Sequence, residues 1–269
     1  MSLTLVLNAA EGVLQILLGR DGVPLCTQAW NAPTRGTEIL APALADMWAR
    51  LGCEARDVTR IACVRGPGSF TGVRLVLATA AALRRCTGAL LAGLDYMQAL
   101  SCAADNAARL RRGSGAKHDG GASLWVLTHA RRNCVHCQTF VSSGAEAPPH
   151  VSAPLELISP DEAVRRINAA PAPVVVGSGL ARRRALFEEH CPAALLLPDA
   201  ASTPSPEALW LLAQNAVYAA ADIEPLYVRP CDAVENLSDI AARRGEAPEA
   251  AHAALARLLR RTPAPGEPA

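Results

Sequence analysis

Apolar residues along the chain fall first into short continuous runs and then into a helical period. Residues 3–7 (LTLVL) and 13–18 (VLQILL) read as strands, and Asp21-Gly22 marks a turn before a third strand around residues 25–30. From residue 37 to 51 the spacing changes: Ile39, Leu40, Ala43, Leu44, Met47 and Leu51 recur at helical intervals. Gly52 ends that run, and Pro42 either kinks the helix or lies in its first turn. Residues 58–64 form another strand, residues 65–72 a glycine-rich turn, and an Ala- and Leu-rich helix follows from Val73. A strand over 90–94 and a helix from 95 to about 110 complete a first lobe, residues 1–110.

Residues 111–123 (RRGSGAKHDGGAS), rich in glycine and charge, read as a flexible linker. The second lobe, 124–203, has strands at 124–127, 134–141, 174–176 and 195–197. Ser159-Pro160-Asp161-Glu162 starts one helix, with serine as cap and proline in the first turn. A further helix runs from Gly177-Ser178-Gly179 through residue 189. Ser205-Pro206-Glu207 starts a helix to about residue 221, which together with an extended stretch ending near 230 is expected to pack back on the first lobe. Residues 231–269 are an appendage: an irregular segment over 232–237, a helix over 248–261 and a Pro-rich tail expected to be disordered.

The turn between strand and helix, Arg65, Gly66, Pro67, Gly68, Ser69, Phe70, Thr71, Gly72, is the most informative stretch. Ser69 and Thr71 are both placed to cap the helix. The amides of such a turn can hold an anion at the helix N-terminus, or its glycines can admit another backbone. Standard nucleotide spacings fail. Val73 follows Gly72 where a Walker loop needs lysine, and the chain's one lysine is Lys117. Thr71 breaks the dinucleotide pattern, and Pro67 and Thr71 replace the glycines of a nucleophile elbow.

RGPGSFTGVR followed by an Ala-rich helix closely resembles the signature of the TsaB (YeaZ) family, which helps to make N6-threonylcarbamoyladenosine in transfer RNA. THARRNCV at 128–135 resembles that family's D-A-R-R-x-E-V strand, and EPLYVRP at 224–230 its C-terminal P-x-Y-L-R. The resemblance implies an α/β, actin-like (ribonuclease-H-like) duplicated fold of two lobes, each a mixed sheet with helices. The opening three-strand meander is how that superfamily begins. It also implies a non-catalytic subunit that binds and activates a TsaD-like enzyme. By that resemblance Ile39, Leu40, Met47, Phe70, Val73, Arg74, Leu77 and Ala81 contact the partner. It further implies self-pairing into a homodimer when alone, a TsaE-like ATPase as a further partner, and tRNA reached only through the complex. No cofactor is intrinsic to the chain on this reading, although ATP or ADP has a place at the interface with the TsaD-like partner.

The residues themselves leave the helix after Val73 open to two readings. A helix apolar on almost every side is normally sandwiched in a core, whereas an exposed apolar side awaits a partner. The competing functional class is an actin-like ATPase or a glycoprotease-like metallopeptidase. Relatives usually show Asp-Thr where this chain has Asn8-Ala9, and an amide is neither a carboxylate metal ligand nor a base. The six histidines contain no H-x-x-H or H-x-x-x-H pair. Cys134-x-x-Cys137 lacks the second ligand pair of a structural zinc site, so no metal is expected.

Composition narrows the setting. Nine scattered cysteines point to a reducing compartment rather than a disulfide framework, and the N-terminus lacks a basic signal-peptide region, so a cytoplasmic protein without membrane attachment is expected. A formal charge of +1 provides no global field for nucleic acid, and the short runs Arg131-Arg132, Arg165-Arg166 and Arg182 to Arg184 read as solvated faces.

Overall fold

Leu3–Asn8 (β1) is buried at every position, so both faces of the sheet it centres are covered. Val13–Arg20 (β2) and Val23–Asn31 (β3) extend it as an antiparallel meander, and Val58–Gly66 (β4) and Leu90–Asp95 (β5) add in parallel on the other side. The order is β3-β2-β1-β4-β5. In this computed structural model the described residues are 2–32, 34–112, 122–131, 133–144, 146–228, 237–245 and 247–261.

The same plan is built a second time. Leu124–His129 (β6), Val135–Val141 (β7) and His150–Ile158 (β8) meander antiparallel, while Val174–Val176 (β9) and Leu195–Leu196 (β10) pair in parallel beside β6, in the order β10-β9-β6-β7-β8. Two mixed sheets with one topology are the duplicated, actin-like α/β fold. In both copies a glycine turn after a parallel strand abuts the end of the first strand. A Cβ at Gly177 would lie 2.3 Å from the Leu127 carbonyl oxygen, as one at Gly72 would lie 2.0 Å from that of Ala9.

β8 is an element that the pattern of residues did not suggest. It is an edge strand, mostly exposed, and Pro154 within it is tolerated there because an edge strand can spare an N–H. Val151, Ala153, Leu155 and Leu157 alternate with other residues instead of running together, so a search for continuous apolar runs passes over it.

Helices Gly36–Leu51 (α1) and Phe70–Thr87 (α2) pack side by side against β1, β2 and β4. Tyr96–Arg112 (α3) lies between the sheets, against β4 and β5 on one side and β6, β7 and β9 on the other. Pro160–Asn168 (α4) is capped by Ser159, whose hydroxyl accepts from the Glu162 amide at 3.1 Å. The helix expected through residue 189 is broken at Arg183 into Ser178–Arg182 (α5) and Arg184–His190 (α6). Pro206–Asn215 (α7) is capped by Ser205 and packs on β1, β2 and β5.

The sequence carries α7 six residues too far. Beyond Asn215 the chain is extended: Leu91 and Ala219 exchange backbone hydrogen bonds at 2.8 and 2.9 Å, and Asp222 accepts from Arg84 and Arg85. Pairing to the free edge of β5 outweighs the helix propensity of the alanines there. Pro42, exposed, sits in the second turn of α1 rather than the first.

Residues 1 to 226 form one unit and residues 227 to 269 another. Within the second, helices Leu237–Arg243 and Pro248–Arg261 pack together, and the Ser238 hydroxyl lies 3.0 Å from His252 Nε2. The expected linker falls almost wholly, and the expected irregular segment and tail largely or wholly, outside the described residues. Among the described residues no helix is long and apolar enough to cross a membrane.

Candidate functional site

The glycine turn is consumed by backbone contact. The Ser69 amide donates to the Ala10 carbonyl at 2.5 Å, and the Ser69 hydroxyl accepts from the Gly72 amide at 3.2 Å. A Cβ at Gly68 would stand 2.0 Å from the Ala10 oxygen, and one at Gly72 equally close to the Ala9 oxygen. Of the two roles open to such a turn, close approach of a second backbone is the one built here. Ser69 is the cap of α2, and Thr71, expected to share that task, is the second residue of the helix and is exposed. Gly66 and Pro67 are buried. Arg65 reaches Asp95 at 2.7 Å, and its carbonyl accepts from the Leu226 amide at 2.8 Å.

The eight expected contact residues divide by burial. Leu40, Met47 and Val73 are enclosed by their own chain, at 2%, 0% and 3% exposure, and Leu77 retains only 9%. This corrects the expectation for these four: at helical spacing they form the inward stripes of α1 and α2, and their burial holds the helices to the sheet. Ile39 and Ala81 are half-buried, and Phe70 and Arg74 are exposed, the Arg74 guanidinium lying 3.9 Å from the centre of the Phe70 ring. The outward side of α2 carries Phe70, Arg74, Ala78 and Ala82, and that of α1 carries Ala41, Ala45 and Ala49. The alanines were missed because a helix apolar all round does not reveal which side is covered.

A cavity of about 270 Å³ opens beside this face, lined in part by Glu11, Thr37, Ser69, Thr71 and Leu75. Glu11 was also missed. It follows the β1 strand end, and its carboxylate accepts from the Ser178 hydroxyl at 2.6 Å and from Tyr96, whose hydroxyl is 3.1 Å away. Burial raises the Glu11 pKa against the opposing effects of Ser178, Tyr96 and the Arg182 charge. Burial, and then the Glu11 charge, push the Tyr96 phenol well above its ordinary value. Ser178 in turn accepts from the His129 amide at 2.9 Å, so this cluster ties the β1–β2 turn to the second sheet. A lone acid ending an apolar hairpin was the available signal.

Asn8, 1% exposed, is fully engaged. Its oxygen accepts from the Ala10 amide at 3.0 Å, its amide donates to Gln15 at 2.7 Å, and Gln15 donates to the Pro204 carbonyl at 2.9 Å. Cys137 is buried in β7, its thiol pushed up to about 12 by burial, and Cys134 lies in the preceding turn. Among the described residues no group of three or more His, Cys, Asp or Glu is placed to hold a metal.

Residues 32–222 match the family model described as TsaD: tRNA N6-adenosine threonylcarbamoyltransferase. The chain belongs to this family. The match spans α1, β4, the glycine turn, α2, β5, the whole second sheet and α7. Among solved structures the chain is similar to a Pseudomonas aeruginosa protein described as having similarity to the peptidase YeaZ, with a TM-score of 0.66 and 22% identity. It is similar also to YeaZ from Pseudomonas aeruginosa, with a TM-score of 0.65 and 22% identity. Each likeness covers 85% of this chain and 100% of the other. They show a shared fold, in keeping with the resemblance carried by the GPGSFTG turn. No curated protein matches the chain.

Proposed function

We propose that this chain is a TsaB-like, non-catalytic subunit that binds and activates a TsaD-like enzyme for N6-threonylcarbamoyladenosine formation in tRNA. The observation that carries the reading is the outward side of α1 and α2, where Ala41, Ala45, Ala49, Ala78 and Ala82 leave a low surface beside exposed Phe70. Small side chains allow a helix from another subunit to approach closely, and burying Phe70 supplies apolar area. The Asn8 amide, held by Ala10 and Gln15, supports a chain without its own phosphate chemistry, because it occupies the place where relatives carry an acid. ATP or ADP bound at the joint interface, a TsaE-like ATPase as further partner, self-pairing of the isolated chain and a cytoplasmic setting belong to the same reading.

Size-exclusion chromatography with light scattering, on the chain alone and mixed with the TsaD-like protein of the same organism, tests it. Association is expected in the mixture and should be lost in Ala78→Arg, which places a guanidinium on the exposed face. The melting temperature should stay close to the parent's, since an exposed substitution of this kind changes stability by about 0.5 kcal/mol or less. Undiminished association in Ala78→Arg would remove the face from the reading. Phosphate release or peptide cleavage by the isolated chain above background would refute its non-catalytic part.

A further inference from the structure

Among the described residues that line the cavity beside α1 and α2, Glu11 alone carries a formal charge. The walls divide by burial. Ala9 and Leu14 are buried, Glu11 and Leu75 are half-buried, and Thr34, Thr37 and Thr71 are exposed. The carboxylate and the apolar walls are thus the covered part of the cavity, and the threonine hydroxyls its open mouth. Among the described residues the Glu11 carboxylate is held by neutral donors alone, the Ser178 hydroxyl at 2.6 Å and the Tyr96 hydroxyl at 3.1 Å. A carboxylate offers about four acceptor positions, so roughly half of them stay open. No cationic side chain pairs with it among the described residues, and the Arg182 charge is the smallest of the effects that favour its ionised form. A desolvated carboxylate without a counter-ion is costly, since charges taken out of water are normally paired.

We propose that this cavity is a binding site for a small amino alcohol, whose ammonium pairs with Glu11 and whose hydroxyl meets the threonines at the mouth. Charge selects the ammonium, because the walls offer one negative group and no positive side chain. A hydrogen bond from an ammonium to a carboxylate is also about twice as strong as one between neutral groups. The apolar side chains of Leu14 and Leu75 select a short aliphatic spacer. Size sets the limit. An apolar cavity of about 150 Å³ admits benzene, so about 270 Å³ suits a ligand of roughly ten non-hydrogen atoms or fewer. Because the same carboxylate holds Ser178, an occupant would brace the junction between the two copies of the fold. Occupancy needs no second subunit, so it stands or falls apart from association with a TsaD-like enzyme.

Methyl-resolved NMR of the full chain, without any partner protein, tests this by titration with aminobutanol bearing its amine and hydroxyl at opposite chain ends. The Leu14 and Leu75 methyl signals should shift saturably, with a Kd of about 10 mM or tighter for a ligand of this size. The neutral pentanediol of matching length should bind at least about tenfold more weakly. Glu11→Gln keeps the shape and removes the charge, and should weaken the amine by about tenfold or more. If that variant fails to fold, Thr71→Arg carries the test: it sets a guanidinium at the exposed mouth and should cause a similar loss. Glu189→Arg, on exposed surface that does not line the cavity, should change Kd by less than about threefold. Equal binding of amine and diol, an equal loss in Glu189→Arg, or undiminished amine binding in Glu11→Gln or Thr71→Arg would overturn the proposal. So would the absence of saturable shifts at Leu14 and Leu75. Saturable binding of inorganic phosphate at those methyls, with none of the amine, would overturn it in favour of an anion site.

Discussion

Gly68 and Gly72 give the turn its character, and at both the sign of a substitution separates two physical effects. Replacing a glycine near a helix start by alanine normally stabilises by up to about 1 kcal/mol, through helix propensity and a less flexible unfolded chain. Here the new methyl would lie 2.0 Å from the Ala10 or Ala9 carbonyl oxygen, and both obstacles are backbone. Steric overlap wins. Gly68→Ala and Gly72→Ala are each expected to destabilise by about 2–4 kcal/mol, read as a lowered midpoint in a urea melt. A raised midpoint would mean that the two turns do not approach as described. The glycine-rich turn was visible in the letters of the chain. Its purpose was not, because the atoms it must avoid belong to a turn about sixty residues earlier.

At the scale of elements, the two helices beside that turn show how a contact prediction goes astray. Leu77 was the natural position to probe for partner binding, but it belongs to the inward stripe with Val73, Val76 and Ala80. Leu77→Arg is therefore expected to unfold rather than uncouple. An unpaired guanidinium in that core should cost about 3–5 kcal/mol, seen as a melting temperature lower by several degrees than in Ala78→Arg. Equal melting temperatures for the two variants would place residue 77 at the surface. The α2 cap, period and length were legible locally. Which side met the sheet was not, because alanines occupy both sides, Ala80 inward and Ala78 and Ala82 outward, and carry little direction in the hydropathy of such a helix. The end of α7 at Asn215 was hidden for a different reason: Ala219, beyond it, pairs with Leu91 of β5, a long-range contact that local helix propensity does not register.

On the scale of the molecule, Glu11 joins the two copies of the fold through Ser178, a residue 167 positions away. Its folded-state pKa is raised above the ordinary 4.5, chiefly by burial. The folded protein therefore holds that proton more tightly than the unfolded chain. Stability from this group is fully present below pH 4.5 and is lost as pH rises through the higher folded value. Glu11→Gln keeps a hydrogen-bonding side chain but no titration. Thermal melts should show the variant gaining on the parent between about pH 4 and neutrality, and a difference constant with pH would contradict the burial of this carboxyl. The sequence alone determined the elements of both lobes that depend on neighbours a few residues apart: apolar strands, serine caps, the glycine turn and the period of each helix. It also carried the family resemblance, since that rests on a continuous motif. Only the tertiary structure decided which apolar stripe became core, which distant carboxylates met arginines, as Asp95 meets Arg65, and that Glu11 would meet Ser178. Those outcomes depend on contacts between residues far apart in the chain, and local pattern holds no record of them.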